Sequence, residues 1–86
     1  MIAAAQFYER LRRGLGFRFI RAVEDISNQI GQSPDAGSPL GRNDRKRAVP
    51  GFPYNVVYRV EPQRVLVLAI MHQRRKPGYW MWRRYR

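Results

Sequence analysis

The chain has 86 residues, of which 17 are Lys or Arg and 6 are Asp or Glu, for a formal net charge of +11. This length suits a single small domain, and a hydrophobic content of 44% argues against a wholly disordered chain. The absence of cysteine excludes disulfides and thiolate chemistry, and the single histidine, His72, excludes a classical zinc site, so we expect no cofactor. The longest apolar run, Val65–Met71, is too short for a membrane span, and no secretory signal is recognisable, so the expected compartment is the cytoplasm.

The positive charge is concentrated in the second half of the sequence. Residues 1–44 carry six Arg and five acids, a net charge of +1, whereas residues 45–86 carry eleven Lys and Arg and one acid, a net charge of +10. A strong field of one sign attracts partners of the opposite sign. We therefore expect a polyanion as partner, either a nucleic acid or an acidic protein.

Two helices are predicted before residue 31. Residues 3–13 consist mostly of strong helix formers, with an apolar face made by Phe7, Tyr8 and Leu11. From residue 17 onward the apolar positions recur every three or four residues, as in an amphipathic helix, until Gly31 ends the pattern. The stripe that we expect in the core consists of Phe17, Phe19, Ile20, Val23, Ile26 and Ile30. Because the connection is short, the two helices should form an antiparallel hairpin over residues 3–30.

The remaining sequence predicts a loop and then strands. Residues 31–44 are rich in Gly, Pro and Ser, which is typical of a loop. Three strand candidates follow, at 45–49, 54–60 and 65–71. The last candidate is apolar on both faces, and we interpret it as an interior strand.

These elements together predict one α+β domain over residues 1–86. The helical hairpin would pack on a three-stranded antiparallel sheet at 45–72. A short basic and aromatic tail would follow at 73–86, where Pro77 suits the start of a terminal helix.

Two basic clusters flank the predicted β-hairpin. The first consists of Arg45, Lys46 and Arg47, and the second of Arg74, Arg75 and Lys76. In a strand, Arg45 and Arg47 share one face and Lys46 takes the other, and such a strand is commonly a charged edge that prevents aggregation. If both clusters meet on the exposed face of the sheet, they form a basic surface that binds phosphates beside aromatic rings that stack on bases.

The sequence also offers parts for catalysis and for target binding. Metal-independent RNA cleavage needs a base, an acid and cations around one phosphate, and the candidates are Arg74, Lys46, His72 and Tyr79. A lone histidine at a strand end is more commonly hydrogen-bonded locally, so both interpretations of His72 stay open. The candidates for binding a target or a nucleic acid are Arg45, Arg47, Arg75, Lys76, Trp80, Trp82 and Arg83, although Trp80 also suits the open end of the core.

Two segments of the chain resemble the ParE/RelE superfamily of type II toxin–antitoxin toxins. Residues 52–80, FPYNVVYRVEPQRVLVLAIMHQRRKPGYW, resemble it in the pattern FPY-x-V-x-Y, an apolar strand and H-x-x-R-x-P-G-Y-W. Residues 7–26, FYERLRRGLGFRFIRAVEDI, are similar to the family's helical hairpin. The resemblance implies a growth-inhibiting bacterial toxin in a hetero-oligomer with a cognate antitoxin. An acidic or amphipathic antitoxin segment would wrap the toxin, and operator DNA would be bound only through the antitoxin.

The family contains two kinds of toxin, which either cleave mRNA on the ribosome or inhibit DNA gyrase. Arg74 matches an arginine at the end of the last strand in the mRNA-cleaving members, and residues 45–47 loosely match their basic residues before the hairpin. Another of their arginines falls on Asn55, which cannot neutralise a phosphate, and their C-terminal aromatic acid or base falls near Tyr79 or Trp80. The resemblance therefore favours a ParE-like toxin that inhibits a protein target such as DNA gyrase. The alternatives are a RelE-like ribosome-dependent mRNA endoribonuclease and a non-toxic basic nucleic-acid-binding module.

Members of this family normally open with a β-strand before the position of Ala3, whereas this sequence opens within the first helix. The resemblance therefore implies either that upstream residues were left out of this sequence or that a sheet position is vacant. An uncovered strand edge attracts a partner strand or self-association.

Overall fold

The computed structural model describes residues 2–74. Two helices, a 3₁₀ turn and four strands follow one another along the chain: α1 (Ile2–Leu11), α2 (Leu15–Gln32), the 3₁₀ turn (Pro34–Ala36), β1 (Ser38–Pro39), β2 (Asp44–Ala48), β3 (Tyr54–Val60) and β4 (Val65–His72). The strands form one antiparallel sheet in the order β1-β2-β3-β4. The α+β expectation is confirmed, and the predicted three-stranded sheet gains β1 as a fourth strand.

The core lies between α2 and one face of the sheet. The stripe of α2 that is buried consists of Phe19, Val23, Ile26 and Ile30, as its period predicts. These side chains pack with Val56 and Tyr58, which alternation places on the same face of β3. The helices therefore cover the face of the sheet that carries the even-numbered residues of β3, called here the helix face.

A close approach joins the two helices. A Cβ atom at Gly16 would overlap the carbonyl oxygen of Ala5, so only glycine fits at this position. The Glu9 carboxylate accepts hydrogen bonds from the backbone N–H groups of Gly14, at 2.9 Å, and Gly16, at 3.1 Å. Because the first N–H groups of a helix lack partners within the helix, Glu9 stabilises the start of α2.

Some apolar residues predicted in the helical core are instead exposed. Phe17 is 74% exposed, and Phe7 and Leu11 are also largely open to solvent, whereas Tyr8 is half-buried. Phe17 lies two residues before Phe19, which at 3.6 residues per turn places it roughly 200° around the helix, so it points away from the sheet. The hydrophobic period located the stripe correctly, but its predicted width was wrong on the Phe17 side.

Among the described strands, β2 and β3 lie in the interior of the sheet and β4 does not. β3 carries three consecutive buried residues, Val56, Val57 and Tyr58, while β4 is the outermost strand of the described sheet. The expectation of an interior strand at 65–71 was wrong. Apolar residues on both faces of a strand indicate that its faces are covered, but they do not indicate that both of its edges are paired with other strands. On the face away from the helices, called here the open face, Val57 and Met71 form a second small apolar cluster with Leu40, Leu68 and Ala69.

β1 exists because of contacts that are distant in sequence. The Tyr58 hydroxyl donates a hydrogen bond of 2.6 Å to the Pro34 carbonyl oxygen, and Gly37 packs against that hydroxyl. Leu40 N–H then donates to the Asp44 carbonyl oxygen at 2.7 Å, which closes the turn into β2. A strand of two residues, one of them Pro39, has no recognisable period, so its loop-like composition concealed it.

Candidate functional site

The basic strand β2 presents its cations on two different faces. In the register of β2 with β3, Arg45 pairs with Tyr58 and Arg47 with Val56, so both arginines lie on the helix face. Lys46 pairs with Val57 and lies on the open face. The prediction that Arg45 and Arg47 share a face opposite Lys46 is confirmed, but these two arginines do not join Lys46 on the open face.

Arg45 is engaged in structural contacts. Its Nη1 atom donates to the carbonyl oxygens of Gly37, at 2.7 Å, and Asp35, at 3.3 Å. These carbonyls belong to the segment that leads from α2 into β1, so Arg45 holds that segment against β2. Arg47 has a looser contact, because its Nη2 atom lies 3.4 Å from Oε1 of Gln29 on α2. Arg47 is therefore the more readily available of the two guanidinium groups.

An ion pair on the open face was missed by sequence reasoning. Asp44, only 6% exposed, accepts hydrogen bonds from Arg59 Nε at 2.8 Å and Nη2 at 3.2 Å. The two residues are directly opposite each other in β2 and β3. Asp44 lies within the predicted loop, so only the cross-strand register reveals its partner. Arg59 is thus a structural cation beside the second apolar cluster.

A groove of about 630 Å³ lies along the outer edge of β2. It is called here the β2-edge groove. Among the described residues, those that line it are Ile26, Gln29, Ala36, Ser38, Lys46, Arg47, Ala48, Pro50, Asn55 and Gln73. This lining contains two cations and several neutral polar groups but no carboxylate and no aromatic ring. The chemistry of the described lining suits an anion.

The other candidate residues lie at the end of β4. His72 pairs with Tyr54 on the helix face, their rings 5.2 Å apart, and its Nδ1 atom accepts a hydrogen bond from Arg74 N–H at 3.1 Å. Burial raises the pKa of the nearby Tyr8 phenol, and the phenol of Tyr54 raises it further, so Tyr8 remains protonated at neutral pH. His72 is therefore hydrogen-bonded locally at a strand end and lies within an aromatic cluster.

The sheet separates Lys46 from His72. Lys46 is on the open face, level with Val57 and Ala69, whereas His72 is on the helix face beyond them. Arg74, which is exposed, follows the end of β4 and does not line the β2-edge groove. The expected meeting of both basic clusters on one exposed face is therefore not seen for the cations of residues 2–74. The remaining candidates, Arg75, Lys76, Tyr79, Trp80, Trp82 and Arg83, lie outside the described residues.

Residues 2–74 contain no group of three or more His, Asp or Glu side chains that could hold a metal ion. Neither helix in this range is both long enough and apolar enough to cross a bilayer.

Comparison with known protein families identifies the family of this chain. The family model described as "ParE toxin of type II toxin-antitoxin system, parDE" matches residues 3–77. The chain belongs to the ParE toxin family. No curated protein and no solved structure gives a significant match.

Membership of the ParE family confirms the resemblance seen in the sequence. The match extends across both helices and all four strands, so the whole described fold is that of a toxin from a type II toxin–antitoxin system. A toxin of this type has an antitoxin as its partner. The expectation of an antitoxin is therefore supported at the level of the family.

Proposed function

We propose that this ParE-family chain is a toxin that binds and inhibits a protein target such as DNA gyrase and does not cleave nucleic acid. It would act in the cytoplasm, and its cognate antitoxin would neutralise it within a hetero-oligomer. The observation that carries the proposal is the position of Lys46 and His72 on opposite faces of the sheet, together with the family match.

The arrangement of these candidates disfavours phosphodiester cleavage. General acid–base catalysis requires the base, the acid and the cations to lie within hydrogen-bond reach of one reacting group. Lys46 and His72 are separated by the sheet, and Nδ1 of His72 already accepts a hydrogen bond from Arg74 N–H. Of the three cations in β2, Arg45 is committed to two backbone carbonyls. The arrangement of Lys46, His72 and Arg45 therefore suits binding better than it suits proton transfer.

The helices support binding to a protein. Phe7 and Leu11 recur four residues apart on α1, and Phe17 follows at the start of α2, all three largely exposed. Large apolar side chains among surface cations are typical of protein interfaces, where aromatic residues and arginine are enriched. This surface is the one that we would test first for contact with the target.

The deciding experiment compares plasmid topology with mRNA integrity after the chain is induced in bacteria without an antitoxin. We expect growth arrest, altered plasmid supercoiling and intact mRNA, together with inhibition of purified gyrase. Because neither side chain is required for binding in this proposal, Lys46→Ala and His72→Ala should retain the arrest. Arg64→Ala, which removes an exposed arginine at the β3–β4 turn, serves as a charge-matched control.

Two outcomes would contradict the proposal. Ribosome-dependent mRNA cleavage that disappears with Arg74→Ala and weakens with Lys46→Ala would establish the endoribonuclease instead. Normal growth in the presence of well-expressed, folded protein would indicate a basic binding module without toxicity. In that case, nucleic-acid binding should weaken steeply with salt.

A further inference from the structure

We propose that two copies of this chain associate through the outward face of α2, with the two helices antiparallel and Arg21 of each copy opposite Glu24 of the other. The same surface patch is used on both copies, which is the arrangement that a two-fold axis requires. The inference goes beyond the proposed function and does not depend on gyrase as the target, because it concerns the chain alone.

The first step of the argument is an exposed stripe on α2, on the side opposite the core. Its members are Phe17, Arg21, Glu24 and Asn28, all of which are exposed. Their spacing of four, three and four residues places them within about 60° of one another around the helix, roughly opposite the buried stripe that contains Phe19. An open groove of about 680 Å³, called here the α2 groove, follows these residues and also contacts Asp25 and Ser27.

The second step is the order of the charges along this part of α2. Arg18 and Arg21 precede Glu24 and Asp25, so the local charge sums to zero within a chain of net charge +11. This order does not stabilise the helix that carries it. Cations near a helix N-terminus oppose the helix dipole, and a base placed four residues before an acid is the less favourable order for a pair within one helix.

The third step is that the order is complementary to itself when a second copy runs in the opposite direction. An axis midway between Arg21 and Glu24 sets each of these residues level with its opposite charge on the other copy. The same axis sets Phe17 level with Asn28 of the other copy, beside the α2 groove. Phe17, which is 74% exposed, would then lose apolar area to the contact at both ends.

The fourth step is that the repulsion between two copies is weak in this arrangement. Residues 45–86 carry a net charge of +10, and the cations of residues 45–74 belong to the sheet and its connections, on the other side of α2. Back-to-back helices would hold the two sheets roughly 30 Å apart, because adjacent packed layers lie about 10 Å apart. Since the Debye length at physiological salt is about 8 Å, most of this repulsion is screened.

The dimer would leave other parts of the surface open. The sheets would face outward, so the β2-edge groove stays accessible. Phe7 and Leu11 would also stay exposed, because they lie more than half a turn around α1 from Ala5, which contacts α2 at Gly16. An interaction with a target or an antitoxin is therefore compatible with the dimer.

A polyanion is disfavoured on the same stripe. A nucleic acid or an anionic bilayer would bring phosphates against Glu24 and Asp25 as well as against the arginines. Like charges across an interface lower affinity and select against the wrong partner. The mixed charge of the stripe fits a surface that carries both signs, and a second copy supplies both in the matching order.

The size of the contact indicates how strong the dimer should be. The segment from Phe17 to Asn28 is about 18 Å long, and one helix-to-helix contact of this length buries less than the roughly 800 Å² per partner of a standard interface. We therefore expect a weak dimer, with a dissociation constant of about 0.1 mM.

The test is sedimentation equilibrium of the full chain from 10 µM to 1 mM at about 0.15 M salt, with urea denaturation to confirm that each variant is folded. We expect a monomer–dimer equilibrium. Arg21→Glu and Glu24→Arg should each weaken it about 10-fold, because each change replaces two attractive pairs by two repulsive ones. The double variant Arg21→Glu/Glu24→Arg restores both pairs and should return the dissociation constant to within about 3-fold of the parent chain.

Further variants separate this contact from general effects of charge and hydrophobicity. Phe17→Ser should weaken the dimer about 10-fold. Arg42→Glu makes the same change in net charge as Arg21→Glu at an exposed turn, and it should change the dissociation constant less than 2-fold. Val67→Ser makes a comparable loss of exposed apolar surface on β4, and it too should change it less than 2-fold.

Four results would overturn the inference. The first is a chain that stays monomeric at 1 mM, and the second is a double variant no stronger in association than its single variants. The third is an equal effect of Arg42→Glu and Arg21→Glu, which would assign the change to net charge. The fourth is association that Val67→Lys abolishes and Arg21→Glu does not alter, which would assign the contact to the β4 edge. Failure of the gyrase assay would leave this result unaffected, because the sedimentation experiment involves no target.

Discussion

The strands β2 and β4 differ in charge and in cover. Four of the five residues of β2 are charged, and its outer edge is partly covered by β1. β4 carries no Lys, Arg, Asp or Glu and is the outermost strand of the described sheet. Charged residues usually protect exposed strand edges from aggregation, so this distribution is the reverse of the simple expectation.

The charges of β2 have specific partners within the fold. Arg45 binds the backbone before β1, Asp44 binds Arg59, and Lys46 and Arg47 line the β2-edge groove. β4 instead has an irregularity in its pairing with β3 next to Val57 and Tyr58, and bulges of this kind are another means of blunting an edge.

Gly37→Ala should displace β1, the strand that covers part of the outer edge of β2. The added Cβ would overlap the Tyr58 hydroxyl and lie 2.9 Å from the Lys46 carbonyl oxygen, both of which are held by the sheet. We expect a loss of about 3 kcal/mol in the free energy of unfolding, measured by urea denaturation. Gly31→Ala is the matched control, because nothing lies within 4 Å of its Cβ position and the change should be neutral or stabilising. Equal stability of the two variants would contradict the packing described for β1.

Asp44→Asn should weaken the junction between β2 and β3. The change replaces the carboxylate that accepts two hydrogen bonds from the partly buried Arg59 guanidinium with a neutral amide, and we expect a loss of about 2 kcal/mol in the free energy of unfolding. A double-mutant cycle with Arg59→Gln measures the coupling. Additive losses would show that the ion pair contributes nothing beyond its separate parts.

The two arginines of β2 should differ in their contribution to stability, which the variants Arg45→Gln and Arg47→Gln measure. Arg45 donates to two backbone carbonyls, so its loss should cost about 1 kcal/mol of stability, whereas the longer contact of Arg47 should contribute less than about 0.5 kcal/mol. Thermal denaturation of the two variants under identical conditions makes the comparison. A larger loss for Arg47→Gln would reverse the assignment of structural and available cations.

Val67→Lys should change the behaviour of the β4 edge with little effect on stability. Val67 is 46% exposed, so a lysine there remains hydrated, and the free energy of unfolding should change by less than about 0.5 kcal/mol. The added charge should reduce self-association, measured by light scattering as a function of protein concentration. Val67→Thr keeps the branched shape without the charge and should scatter like the parent chain. If both variants scatter alike, charge at this edge is not what limits association.

Much of the fold was predictable because it is encoded by neighbouring residues. The helical stripe from Phe19 to Ile30 and the hairpin of β3 and β4 both follow from short-range periodicity. The same alternation correctly paired Arg45 with Arg47 on one face. It could not tell which face the helices cover, so the expected basic surface placed these arginines on the wrong side of the sheet.

The parts that escaped prediction depend on contacts between residues far apart in the sequence. β1 is anchored by a bond between Tyr58 and Pro34, and Asp44 meets Arg59 through the register of two strands. The β2-edge groove appears only when α2, β1 and β2 are packed together. None of these contacts leaves a periodic pattern in the residues that make it.

The amino-acid order by itself determined the type of each long element, the concentration of positive charge after residue 44 and the resemblance to ParE toxins, because each depends on composition or local spacing. Tertiary structure alone decided the strand order, the face that carries the helices and the division of the cations between structural contacts and an open groove. The physical reason is that side-chain alternation fixes which residues point the same way, while packing between layers fixes what they meet there.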